Sequence, residues 1–318
     1  MTLKVYIGNR KNDVLDISDC VKSVSYSLSR VIRPGSADIS FSYDKEINIE
    51  NGCSVKVVAD NQTVFYGYIF TVTQDPDGYS LSCFDQIRYL ENEDCIIIKN
   101  KTMSQILADY VSKFSLKTGH IENTKHIIPS VVEVSKSITD ILNEAMQETT
   151  YATNEMFTLY DENGFLYLEN LKNMRKNIVL SGDSNMFGYT YTRDISSDTY
   201  NKFKLIKQSK DAGTFETFIA QDSGKIAKWG LLQMVQEVDE KYNQAQINQI
   251  LDALPRLYGD EIIRLDVECL GLVNLRAGNI IYVEITDIKM SKWCLVDEIS
   301  HSLEKCAHTM QLKLLGVA

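Results

Sequence analysis

Strict alternation of apolar and polar residues constrains this chain more than any other feature of its sequence. In ADISFSYD, Ala37, Ile39, Phe41 and Tyr43 oppose Asp38, Ser40, Ser42 and Asp44. That period of two puts one row of side chains on each face of a strand. LKVYI repeats it, with Leu3, Val5 and Ile7 on one face. VFYGYIFTVTQDPDGYSLSCF reads as a hairpin around Asp75-Pro76-Asp77-Gly78, where proline presets φ and glycine accepts a positive φ. Short strands with polar turns about every ten residues predict a small barrel or sandwich over residues 1 to about 98.

The period then changes. TMSQILADYVSKF places Met103, Ile106, Leu107, Tyr110, Val111 and Phe114 on one helical face, and Thr102 and Gln105 have the spacing of a capping box. SITDILNEAMQET repeats the design with Ile138, Ile141, Leu142, Ala145 and Met146, capped by Ser137. Two copies do not make a solenoid. A hairpin, MFTLYDENGFLYLEN, follows and turns at Asp161-Glu162-Asn163-Gly164. Residues 99–176 therefore read as a small α/β domain. From about 177 the strand pattern returns in IVLSG, FGYTYTR and KFKLIKQ. A helical insertion at about 224–260 interrupts it, with Ile247, Ile250, Leu251 and Leu254 on one face and Pro255 and Gly259 near its end. EIIRLDVECLG then points Ile263, Leu265, Val267 and Cys269 inward. Four prolines in 318 residues leave no linker composition, so the three units, 1–98, 99–176 and 177–318, are expected to pack rigidly.

The net charge of −10 opposes a reader of nucleic-acid backbones, whose affinity rests on clustered Lys and Arg. If the chain forms a ring, the same acidity suits a channel that a polyanion passes without sticking. No apolar run approaches the roughly 18–20 residues of a membrane helix. MTLKVYIGNR lacks a signal-peptide core, so synthesis in a bacterial cytoplasm is expected. The cysteines at 20, 53, 83, 95, 269, 294 and 306 form no CxxC and read as small hydrophobes in a reducing compartment.

The densest set of ligand-type residues is WCLVDEISHSLEKCAHTMQLKL, Trp293 to Leu314. Pairing Trp293–Ser302 with Ala307–Leu315 around a four-residue loop sets His301 opposite His308. The shared face then carries Trp293, Leu295, Asp297 and Ile299, with Met310, Leu312 and Leu314. Cys294 falls on the opposite face, roughly 23 Å from His301, and Cys306 in the loop. This set cannot close a tetrahedral zinc site. The facing histidines could hold a metal only with help from elsewhere, and the plainer reading has them closing a core edge with hydrogen bonds to the backbone. Asp297 is the anomaly: a carboxylate on a core face needs a hydrogen-bonding partner, or the register is wrong by one. His120-Ile121-Glu122 has no PCxxC after it, and His126 stands alone. Gly182-Asp183-Ser184-Asn185 reads as a turn. Asp161-Glu162 and Asp239-Glu240 are adjacent acids in turns or polar faces. GxSxG, P-loop, GxGxxG and HExxH are all missing. No residue is assigned a catalytic, cofactor-binding or metal-ligating role, and no cofactor is expected.

Several segments in collinear order resemble one family. They are Phe65-Tyr66-Gly67-Tyr68-Ile69, Cys83-Phe84-Asp85-Gln86-Ile87-Arg88-Tyr89-Leu90-Glu91-Asn92, the Ser-Gln-Ile-Leu helix start, Asp198-Thr199-Tyr200-Asn201-Lys202-Phe203, Arg276-Ala277-Gly278, and His301 with His308-Thr309-Met310-Gln311-Leu312. Together they resemble the XkdQ/YqbQ-like, PBSX-type proteins of contractile phage tails. The resemblance implies a fold that is mainly β with α+β parts: two tube-type β-barrel domains joined by a small α/β domain. It implies a non-enzymatic baseplate hub, a homotrimer forming a pseudo-sixfold ring that joins the tail tube protein to a threefold spike or tail-lysozyme protein. Other baseplate proteins would be partners, and the chain would end up in the virion or tail-like particle. Neither sequence-specific nucleic-acid binding nor stable membrane insertion is implied. The alternatives are a tail-associated cell-wall hydrolase and a carbohydrate-binding adhesin of the same particle.

Overall fold

The alternating segments become strands whose apolar rows meet in two separate cores. The computed structural model describes residues 1–8, 13–42, 49–129, 131–209, 214–238, 240, 242–304 and 307–316. Tyr43, Asp44, Asp239 and Cys306 lie outside the described residues. The first unit holds β1 (Leu3–Gly8), β2 (Val14–Asp16), β3 (Val21–Ser29), β4 (Ser36–Phe41), β5 (Ser54–Ala59), β6 (Gln62–Asp75) and β7 (Gly78–Phe84). Val5, Val24, Ile39, Phe41, Val57 and Leu81 are fully buried in it. The β6–β7 turn forms as read: Asp75 Oδ1 accepts from the amides of Asp77 and Gly78 at 2.8 and 3.0 Å.

The middle unit holds β8 (Glu93–Ile98), α1 (Met103–Lys113), β9 (Thr118–Ile121), β10 (Val131–Ser137), α2 (Ile138–Thr153), β11 (Phe157–Glu162) and β12 (Phe165–Asn170). Both caps are present. Thr102 Oγ1 accepts from the Gln105 amide at 3.3 Å while Gln105 Oε1 accepts from Thr102 at 2.9 Å, and Ser137 Oγ accepts from Asp140 at 3.1 Å. The expected helical faces bury Ile106, Leu107, Ile138 and Leu142 against Leu159 and Leu168. The strand β8, read as the end of the first unit, pairs with β10 and sends Ile98 into this middle core.

The third unit holds β13 (Arg175–Ser181), β14 (Met186–Asp194), β15 (Lys202–Ser209), β16 (Thr214–Gln221), α3 (Ser223–Trp229), β17 (Gln233–Val238), α4 (Gln244–Tyr258), β18 (Ile262–Leu270), β19 (Ile280–Ile285), β20 (Met290–Glu304) and β21 (Ala307–Gly316). The insertion is larger than its helix. KFKLIKQ was read as a strand of the second β-domain, but β15 instead centres a separate sheet, β16-β15-β17. Its Phe203 and Leu205 pack with Ile247, Ile250 and Leu254 of α4 and with Tyr151 of α2. Period two reveals a strand but not which sheet it joins. The α4 helix also runs through Pro255 and ends at Gly259, whose amide bonds the Pro255 carbonyl at 2.9 Å.

The two β-units were expected as separate barrels. They share one thirteen-stranded sheet, ordered β14-β18-β21-β20-β3-β4-β7-β6-β5-β1-β2, with β19 on β20 and β13 on β19. Among the described residues the ladder closes no barrel. The join is β20, which pairs Glu298–Glu304 with Ser29–Ser23 of β3 and Met290–Leu295 with β19. A bulge at Asp297, one extra residue, flips the phase of the strand within the second core, and the strand passes to the first core between Ile299 and Leu303. Before the bulge Cys294 and Val296 enter the second core; after it Ile299, His301 and Leu303 are buried. Cys294 is thus a core residue, and Leu295 turns instead to Tyr160, Leu171 and Met174. Asp297 has its partner, Arg30, with Nε to Oδ1 at 2.7 Å, and its carbonyl accepts from the Arg30 amide at 2.8 Å. Both halves of the condition set on Asp297 hold: it is bonded, and the register changes there.

The final hairpin is tighter than expected. Glu304 pairs with Ala307, leaving only Lys305 and Cys306, both outside the described residues, between the strands. His301 therefore faces Met310 and His308 faces Leu303. The histidines meet diagonally, His301 Nδ1 to His308 Nε2 at 2.9 Å, and the Leu275 backbone also bonds His301. Tyr26 of β3 stacks on His301 at 4.4 Å. Burial, helped by His308, pushes His301 down to about 3, and burial also lowers His308. Both rings are neutral in the fold, whereas unfolded imidazoles take protons below about 6.5. Stability should therefore fall as pH drops from about 6.5 toward 3. The urea midpoint of native protein should decline across that window, and less steeply in His301→Gln. Equal slopes would contradict the assignment.

Candidate functional site

The side of the shared sheet that faces away from the cores carries an unusual lining. Across the β20–β3 seam, Ser300 pairs with Ser27, Ser302 with Ser25 and Glu304 with Ser23. The rows continue through Ser36, Asp38 and Ser40 of β4 to Ser80 and Ser82 of β7. In the other direction they reach Thr309, Gln311 and Lys313 of β21, then Glu268 and Asp266 of β18. Residues paired across neighbouring strands share a face, so one hydroxyl-rich surface spans both β-units. Ser27 Oγ and Ser300 Oγ bond at 2.8 Å directly over the seam, and Ser82 Oγ donates to Asp38 Oδ1 at 2.7 Å. Of the cations on this side, Lys313 is bound by Glu298 at 2.8 Å and Arg264, next along β18, by Asp194 at 3.4 Å. What remains unneutralised is hydroxyl and carboxylate.

A buried polar joint fixes that surface to the middle unit. Asp85 follows β7 and is 4% exposed. Its carboxylate accepts from the amides of Gly35 and Ile87, both at 2.9 Å. A side chain at Gly35 would collide, because a Cβ there meets Asp85 Oδ2 at 2.7 Å. Asp161, at the β11–β12 turn, accepts from Gly164 at 2.8 Å and from the Gln86 side chain at 2.7 Å. Arg276 reaches in from the loop before β19. Its guanidinium lies 3.6 Å over the Tyr160 ring and donates to the Asp161 carbonyl at 2.9 Å, with Glu162 beyond at 3.9 Å. Burial pushes Asp85 well above the usual carboxylate range and Asp161 up to about 6, with Arg276 opposing both shifts. All three units meet here, around a polar cavity of about 170 Å³ bordered by Tyr26 and Lys176.

The residues singled out in the sequence mostly take structural posts. Glu122 accepts from the Asn170 amide at 2.9 Å, while His120 sits in β9 and joins no metal-ligating group among the described residues. His126 bonds Glu148 at 3.2 Å. Of Asp161-Glu162, Asp161 belongs to the joint; Asp239 lies outside the described residues. Among the described residues no group of three or more His, Cys, Asp or Glu is placed to hold a metal. In the DTYNKF segment, Asn201 bonds the Gly230 carbonyl at 2.7 Å and the Leu232 amide at 2.9 Å, tying down the root of the insertion. Sequence reasoning missed the joint. Its parts stood inside the resemblance segments CFDQIRYLEN and RAG, but nothing local marked them as partners. The hydroxyl surface did have a signal, the serine of every second position in VKSVSYSLS and YSLSCF.

The model of the family described as YQBQ-like matches residues 24–315. The chain belongs to the YQBQ-like family. This YQBQ-like chain is 29% identical over 271 residues to the phage-like element PBSX protein XkdQ of Bacillus subtilis (strain 168), covering 84% of this chain and 82% of that protein. Its fold is similar to that of the tail protein of Neisseria meningitidis MC58, with a TM-score of 0.75 at 14% identity over 99% of this chain and 97% of that one. It is also similar to the E. coli c3393 protein, at TM-score 0.62 and 10% identity over 100% and 77% of the two chains. That protein is described as a type VI secretion component structurally similar to the T4 tail proteins gp27 and gp5.

Replacing Arg276 with Met should destabilise the YQBQ-like chain by about 3 kcal/mol, since it strands buried carboxylates and removes the ring contact. Arg276→Lys should recover little of that, because an ammonium cannot reproduce the planar fork over Tyr160. Urea unfolding measures both. Near-native stability in either variant would show that the joint carries no such role.

Proposed function

We propose that the chain is a structural baseplate protein of a contractile phage tail or phage-tail-like particle, acting as its hub. Three copies form a pseudo-sixfold ring around the tail axis, between the tail tube protein and a threefold spike or tail-lysozyme protein. The units 1 to about 98 and 177–318 serve as the two tube-type barrels, open in the single chain. The unit 99–176 braces them, with Glu93–Ile98 added to it and the insertion widened to about 200–260. The protein assembles in the bacterial cytoplasm and works in the finished particle.

The observation that carries this reading is the continuous hydroxyl and carboxylate surface across both β-units. Short neutral side chains present no anchoring cation to a polymer moving past them, and a net negative wall repels a polyanion. A ring that turns this surface inward has a smooth lumen. Two similar units per chain give six around a threefold axis, which answers the mismatch between a sixfold tube and a threefold spike. The family membership and the tail-protein fold likenesses support the same setting.

Cryo-electron microscopy of assembled particles, with native mass spectrometry of the baseplate, tests the proposal. Three copies on the axis, with Ser27 and Ser300 facing the channel, are expected. A single copy, or a position at the periphery, would sink it.

A further inference from the structure

Aromatic residues gather outside the cores at one place, where β6 meets the loop after α1. Tyr66, Tyr68 and Tyr89, with Phe114, wall a cleft of about 450 Å³, a size suited to a small ligand. The rings are not stacked flat. Tyr66 and Tyr68 meet edge-on at 6.1 Å and 81°, Tyr68 and Tyr89 at 5.6 Å and 65°, so the cleft offers ring faces as well as hydroxyl edges.

The opposite wall is the end of α1. Ser115 holds a φ of +54° just past the end of α1, a position where glycine avoids a cost of about 1 kcal/mol. Ser115 is exposed, so packing does not demand a side chain there. That φ closes α1: the Ser115 amide bonds the Ser112 carbonyl and the Leu116 amide the Val111 carbonyl, which sets Ser115 in the lining of the cleft.

The lining narrows the ligand class. Among the described residues it contains no carboxylate, hence no counterion for a small cation. Among the described residues its one lysine, Lys117, has its ammonium 5.9 Å over the Phe165 ring. The strands beneath the cleft, β1, β5 and β6, are paired with neighbours on the described ladder, so no free edge invites an extended peptide. A neutral ligand with apolar faces and hydroxyl edges remains. We propose that this cleft binds a saccharide, laying a pyranose C–H face on Tyr68 or Tyr89 and bonding its hydroxyls to Ser54, Ser115 and the tyrosine oxygens. Burial, with Tyr66, Tyr89 and Asp161 alongside, pushes the Tyr68 hydroxyl up to about 12, so it stays a neutral donor. The inference is independent of the ring: every described lining residue belongs to one chain.

Saturation-transfer NMR on the full chain tests it, with tetra-N-acetylglucosamine and maltotetraose as probes. Transfer to ring protons of at least one probe is expected. Tyr68→Ala and Tyr89→Ala should weaken binding about tenfold each, the loss of one stacking ring. Unchanged melting temperature and circular dichroism certify the variants. Should either alanine variant fail to fold, Tyr68→Phe and Ser115→Gly decide, since each removes one hydroxyl and should weaken binding measurably. No transfer to either sugar, or transfer unchanged in folded variants, overturns the proposal. So does binding of tetramethylammonium in place of sugar.

Discussion

The structure depends on one strand serving two cores. Without the pairing of β20 with β3, the chain would hold two β-units linked only through the middle unit; with it, they form a single sheet. The strand changes phase inside the second core, where Cys294 and Val296 before Asp297 and Ile299 after it are all buried, and the phase of Ile299 then carries Leu303 into the first core. Arg30 holds the bulge, binding both the carboxylate and the carbonyl of Asp297. The position is half-buried, with the two side chains 23% and 27% exposed, so the ion pair is worth more in fixing register than in raw stability.

Register at the seam has a consequence on the other side of the sheet. Because residues facing each other across strands share a face, locking Ser300 to Ser27 also aligns the serine rows of β3, β4 and β7 with the polar row of β21 and the acids of β18. A slip of one residue would drop Tyr26 and Leu303 onto that surface and bury serines. The stacked Tyr26–His301 pair, the His301–His308 bond and the Arg276 joint all lie close behind the seam. Specificity of register is thus placed where the proposed channel surface needs it.

Much of this was legible in the sequence. Alternation in ADISFSYD and LKVYI marked strands because a sheet with one buried face leaves a period-two trace. Thr102–Gln105 and Ser137 marked helix starts because capping is local. Asp297 marked its own anomaly, and the structure answered it with a bulge. The remaining features were long-range. Arg276 and Asp161 are distant in sequence, and neither has a local reason to be buried. The seam joins residues near 25 to residues near 300, which no periodicity can signal. KFKLIKQ looked like any other strand, since the pattern that makes a strand does not name its sheet. The hairpin register failed because a tight turn and a four-residue loop fit the same apolar alternation when two histidines sit near the end.

Amide hydrogen exchange across the seam tests the central claim most directly. If β20 and β3 weld the two β-units into one cooperative body, the amides of Ser23–Ser29 and Glu298–Glu304 that lie in the ladder should exchange only with global unfolding, at rates matching core amides of β4–β7 and β18–β21. Seam amides that open much faster than both cores would mean that the units are merely in contact, and would contradict the account.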